Sequence, residues 1–128
     1  MGARTLIGKQ YSLERDVVRL YGMGVGAATS NLTGVKGKGI TSIVRTGVGL
    51  HTITLANKWN GFLMADFCII DATTPDDWEV TVVEELVATS RTVKIAIFKG
   101  GTAADLSTDE KIKFELVLSN TVQLPTGY

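Results

Sequence analysis

The stretch at residues 39–55, GITSIVRTGVGLHTITL, decides the fold. It holds two runs of strand length, ITSIVRT and LHTITL, rich in β-branched side chains and joined by GVG. β-Branched residues suit the pleated surface of a sheet, and tight hairpin turns or glycine-bulged loops demand positive φ. The pattern predicts a β-hairpin in which Gly47 and Gly49 supply that φ on either side of Val48. In the second run His51 alternates with Ile53 and Leu55, as a strand histidine packed or half-exposed in a sheet does.

The same period of two continues downstream. In KIKFELVLS, Ile112, Phe114, Leu116 and Leu118 point one way and Lys111, Lys113, Glu115, Val117 and Ser119 the other. TVKIAIFK repeats it, with Val93, Ile95 and Ile97 against Lys94, Ala96 and Phe98. The connecting FKGGTAADLSTDEK contains a Gly-Gly turn and a polar loop, too short for a helical crossover, so the two strands are expected to pair antiparallel. WEVTVVEELV follows a turn built by Pro75 and its Asp neighbours, and GFLMADFCII is an apolar run of strand length. With the hairpin, this predicts about six strands between Gly39 and Ser119, plus short helical turns at LANKWN and TAADLS. The fold class is all-β, a small antiparallel sandwich or barrel.

Upstream the composition changes. DVVRLYGMGV reads as one strand alternating Val17, Arg19, Tyr21, Met23 and Val25 against Val18 and Leu20, and a glycine-rich tail follows it. Few large side chains remain there to build a core, which predicts an extended glycine-rich N-terminal arm over residues 1–38 and a β-domain over residues 39–128.

The chain of 128 residues has the length of one domain with a core of its own. Thirteen basic and thirteen acidic residues cancel, which argues against the electrostatic footprint of nucleic-acid or anionic-membrane binding. The longest apolar runs fall short of a membrane span, and MGARTLIGKQ lacks the features of a secretory leader, so the sequon at Asn31 is not expected to be used. Cys68 has no partner cysteine and sits in an apolar run, which predicts a small buried hydrophobe made in a reducing compartment.

Candidate chemistry is sparse. GMGVGA, residues 22–27, imitates a dinucleotide fingerprint, but the residues after it are poor helix formers and no acid stands about twenty residues on. GVKGKGIT resembles a phosphate loop only in composition, because its first-glycine position falls on Leu32. A nucleophile–base pair has only His51 to draw on. Asp66, Asp71, Asp76, Asp77, Glu84 and Glu85 lack calcium-loop spacing and cluster where turns are expected. Trp59 and Trp78 flank strands, as packing residues or as interface anchors. No catalytic residue, metal, cofactor or small-molecule substrate is expected, and the chain reads as a non-enzyme.

GKGITSIVRTGVGLHTITLANKWNGFL resembles a hairpin of the pattern KGI-x-SI-x-R-x-GVG-x-Y-x-ITL found in capsid decoration, or cement, proteins of tailed bacteriophages. The family's preceding LE-x-x-VV-x-LYG…GAA is matched from Leu13 to Tyr21 and at residues 26–28, and TAADLSTDEKIKFELVLSN is similar to its closing segment. His51 stands where the family has an aromatic. The resemblance implies a virion structural protein, made in the host cytoplasm, that binds the outer capsid surface. Its partners would be the major capsid protein and further copies of itself, most simply a homotrimer. A small β-sandwich binding module, for carbohydrate or as a tail-fibre accessory, is the alternative. An unpaired apolar strand seeks a sheet edge, of its own sheet or of another chain, and contacts with capsid or neighbouring copies are expected from Leu13, Arg15, Val17, Val18, Arg19, Leu20 and Tyr21, with Trp59 as an anchor.

Overall fold

The computed structural model describes residues 17–72 and 77–120 and contains, among them, nine strands and no helix. In chain order these are β1 (Val17–Val25), β2 (Thr33–Lys36), β3 (Ile40–Gly47), β4 (Leu50–Leu55), β5 (Gly61–Asp71), β6 (Trp78–Leu86), β7 (Thr92–Lys99), β8 (Thr102–Ala103) and β9 (Glu110–Ser119). They form two antiparallel sheets. One has the order β2-β1-β9-β5; the other runs β3-β4-β7-β6, with β8 also paired to β7. The sheets face each other as a sandwich, joined by a core drawn from both.

Period-2 alternation explains that core. Ile53, Leu55, Val93, Ile95 and Ile97 line one sheet's inner face and Leu20, Ile112, Phe114, Leu116 and Leu118 the other's. Leu32, Val87 and Leu106 close the ends, and Phe67 packs on Phe114 with ring centroids 5.7 Å apart. β9 is more buried at its end than its alternation suggests: Val117 and Ser119, on its outer face, are 5% and 1% exposed.

Several expectations are corrected. β7 and β9 do not pair with each other; they lie in different sheets, β7 beside β4 and β6, β9 between β1 and β5. Gly100 and Gly101 do turn the chain, both at positive φ, but the returning strand is only the two residues of β8 before the chain crosses to the other sheet. The helical turns expected at LANKWN and TAADLS are absent: Leu55 ends β4, Thr102 and Ala103 form β8, and the remaining residues of both stretches are irregular. The turn at Pro75 falls outside the described residues.

The expected boundary at residue 38 does not divide the described chain. β1 is an interior strand, in register with β9 from Val17↔Ser119 to Val25↔Lys111, and β2 pairs on its other side at Met23 and Val25. Glycines that suggested an arm serve close packing. Gly22 stands opposite Phe114, and a Cβ there would lie 2.4 Å from the ring's Cζ, so the missing side chain is what lets the ring cover the strand.

Candidate functional site

The segments that carry the resemblance meet at one end of the sandwich. The Arg45 guanidinium forms a two-pronged ion pair with Asp105, Nε to Oδ1 and Nη2 to Oδ2, each at 2.9 Å. Asp105 Oδ1 also accepts the Gly49 N–H at 2.9 Å, and the Asn31 carbonyl Oδ1 accepts the Arg45 N–H at 2.8 Å. Backbone bonds extend the mesh: Gly26 N–H to Glu110 O, Ala28 N–H to Leu106 O, and Ile97 N–H to Gly49 O. The Glu110 carboxylate closes its own loop by accepting the Ser107 N–H at 2.7 Å.

Local sequence explains why the hairpin reaches this mesh. Gly49 alone, not Gly47, has positive φ, at 69°, and a Cβ on it would lie 2.5 Å from Ile97 O. Only glycine lets the turn press against β7 and donate to Asp105. At Gly26 the approach is closer still, with a Cβ 2.0 Å from Ser107 O.

His51 lies opposite Arg45 on β4 and is 2% exposed, with neither ring nitrogen hydrogen-bonded. Burial lowers its pKa from the ordinary value, Asp105 opposing that shift and Arg45 reinforcing it. The hydrogen bond from Arg45 holds the Asp105 carboxyl below the usual carboxylate range, and the same bond raises Arg45. The Asp105 carboxylate is engaged by the guanidinium and the Gly49 N–H, and the His51 imidazole beside it is buried. The cluster is a latch that joins the β3–β4 turn, the segment after β1 and the crossover before β9.

The other acids have structural roles where their partners are seen: Asp71 accepts the Trp78 indole N–H at 3.3 Å, Glu85 accepts the Val87 N–H at 3.4 Å, and Glu84 pairs with Lys94 at 3.2 Å. Asp76 lies outside the described residues. Among the described residues no group of three His, Cys, Asp or Glu side chains is placed to hold a metal.

The expected contact residues divide. Leu13 and Arg15 lie outside the described residues. Val18 and Leu20 face the core, whereas Val17, Arg19 and Tyr21 face outward from the four-stranded sheet. Arg19 pairs with Glu115 of β9 at 3.2 Å, and Tyr21, beside it, is 62% exposed. Trp59 is half-buried against the core and donates its backbone N–H to Val87 O, while its indole N–H is buried without a partner. Between Trp59 and β1 opens a groove of about 530 Å³ lined also by Arg19, Leu20, Tyr21, Lys38, Ala56 and Asn57.

Sequence reasoning missed Lys38 and Asn57 there, which no local pattern marks, and missed the Arg45–Asp105 pair, whose members are 60 residues apart. It also misplaced Cys68, which is exposed on the outer face of edge strand β5 rather than buried. The two tryptophans form no shared platform. Trp59 sits just beyond the end of β6 and Trp78, with Lys99 over its ring at 5.2 Å, at that strand's start. No family model, curated protein or solved structure matches the chain.

Proposed function

We propose that this chain is a capsid decoration protein: a virion component, made in the host cytoplasm, that binds the outer surface of an assembled phage capsid and strengthens it. The observation that supports this most is the convergence of the resembling segments. Arg45 and Gly49 of the hairpin and Asp105 of the closing segment bond to one another, so the motif describes a rigid scaffold rather than a reactive site. A cement protein needs such a scaffold and a surface that adheres. Tyr21 and Arg19, on the outer face of the four-stranded sheet beside the groove, are the contact residues favoured by their exposure. Binding as a homo-oligomer, most simply a trimer at local three-fold positions, multiplies weak contacts through the symmetry of the shell.

The test compares particles with and without the protein. Particles carrying it should withstand higher temperature before releasing their contents, and adding purified protein to stripped particles should restore that resistance. Equal resistance with and without it, or failure to co-sediment with particles, overturns the reading.

A further inference from the structure

The latched end encloses a side chain whose hydrogen-bonding capacity is unused. His51 alternates with the core residues Ile53 and Leu55, is 2% exposed, and has neither ring nitrogen hydrogen-bonded. Buried polar side chains are ordinarily paired, and a bare one costs stability. His51 is also the single histidine of the chain, the side-chain type that gains charge in mildly acidic solution.

Its surroundings decide what that charge meets. β4 lies between β3 and β7, and the residues directly opposite His51 are Arg45 on β3 and Ile95 on β7. The inner face of the other sheet is apolar, with Ile112 and Phe114 on β9. The crossover brings Asp105, which already accepts two bonds from Arg45 and one from the Gly49 N–H. Glu110, where β9 begins, is buried with its carboxylate on the Ser107 N–H. The segment after β1 contributes Gly26, Ala28 and Asn31, none of them titratable. An imidazolium at this position has two N–H donors to satisfy, a like charge opposite it, and a nearby carboxylate already in use. The closed latch thus accommodates the neutral ring and not the charged one.

From this we infer that His51 is an acid-triggered release for the latch: on taking up a proton it parts the β3–β4 turn from Asp105 and the crossover while the strands of both sheets stay paired. The opening is local because the latch joins turns and connections, which open at lower cost than the strands between them. It also frees the bond from Ala28 N–H to Leu106 O and uncovers Leu106, which is 1% exposed in the closed latch. Acid therefore adds apolar surface at that end. The sign follows from linkage. The open form takes up the proton at the ordinary 6.5 and the buried ring only at lower pH, so opening is favoured as pH falls below 6.5. Asp105 keeps its charge down to below its ordinary 3.8, which leaves the interval between to His51.

Hydrogen exchange of single amides, followed by NMR on the purified chain, tests this without reference to particle binding. Compared at about pH 7.5 and about pH 5, and corrected for intrinsic rates, the Gly26, Ala28 and Gly49 N–H groups should exchange about tenfold faster at the lower pH. The Trp59 and Asn60 N–H groups, bonded at the grooved end, should change by less than about twofold. His51→Leu should abolish the difference. Where that variant shows no cooperative melt, His51→Gln, polar but without a charged form, makes the same comparison. Equal latch exchange at the two pH values, acceleration of both ends together, or a response that survives in the folded variant overturns the proposal.

Discussion

The two ends of the sandwich are built on opposite plans. At the latched end, the β3–β4 turn, the segment after β1 and the crossover before β9 are tied by a two-pronged ion pair and a mesh of backbone bonds. At the grooved end a cleft opens beside Trp59, and Tyr21 stands out from the sheet. The difference separates rigidity from adhesion. Groups whose hydrogen bonds are all made inside the domain have little left to offer a partner, while exposed apolar and cationic groups do.

The severest way to break the comparison is to delete residues 1–37. That removes the Leu20 wall of the groove and the Gly26, Ala28 and Asn31 contacts of the latch, and it strips an interior strand from the four-stranded sheet. The truncated chain should show no cooperative melt; a chain that still melts cooperatively would mean β1 is dispensable. Next in size is Gly26→Ala, whose Cβ meets a backbone carbonyl that cannot swing aside. It should cost about 3 kcal/mol or more by denaturant unfolding, and a loss under about 1 kcal/mol would show that the latched end yields.

Titration sharpens the contrast. His51 has a lower pKa folded than its ordinary 6.5, so the unfolded chain takes up the proton first and stability falls as pH drops below that value. Asp105, held below its ordinary 3.8, is stabilising while ionised, and its contribution is lost as pH falls from about that value through the folded pKa. His51→Leu should flatten the upper slope, leave the lower one, and raise stability at pH 7 by about 1 kcal/mol, since it removes two buried polar atoms without partners. Asp105→Asn should do the reverse, lowering the melting temperature at pH 7 and flattening the acid limb. Unchanged slopes in both variants would exclude the latch as the seat of acid sensitivity. The smallest effect on stability belongs to the grooved end: Tyr21→Ser should alter unfolding by no more than about 0.5 kcal/mol yet weaken particle binding about tenfold or more. Undiminished binding would move the contact surface away from β1.

Much of the strand content was readable. β3, β4, β7 and β9 lie where alternation predicts, and their apolar positions are the core. The neighbours of each strand were not readable. TVKIAIFK and KIKFELVLS both state which face is apolar, but nothing in either says that the crossover at Asp105 will carry the chain into a second sheet. Likewise, composition suggested an arm where Gly22 makes room for Phe114, because the need for a missing side chain belongs to the partner strand. Cys68 shows the same gap: its apolar run is compatible with burial on both faces, and only the packing of β5 with Phe67 and Ile69 inward leaves Cys68 on the outer face.

By itself the sequence determined the all-β class, most of the strands and, in β7 and β9, which side chains share a face, because the two-residue alternation of side chains is a property of the local backbone pleat. Only the tertiary structure decided that β1 is interior and that Arg45 finds Asp105. Those outcomes depend on which strands share a sheet, a choice made by packing between residues far apart in the chain, where no local period can register it.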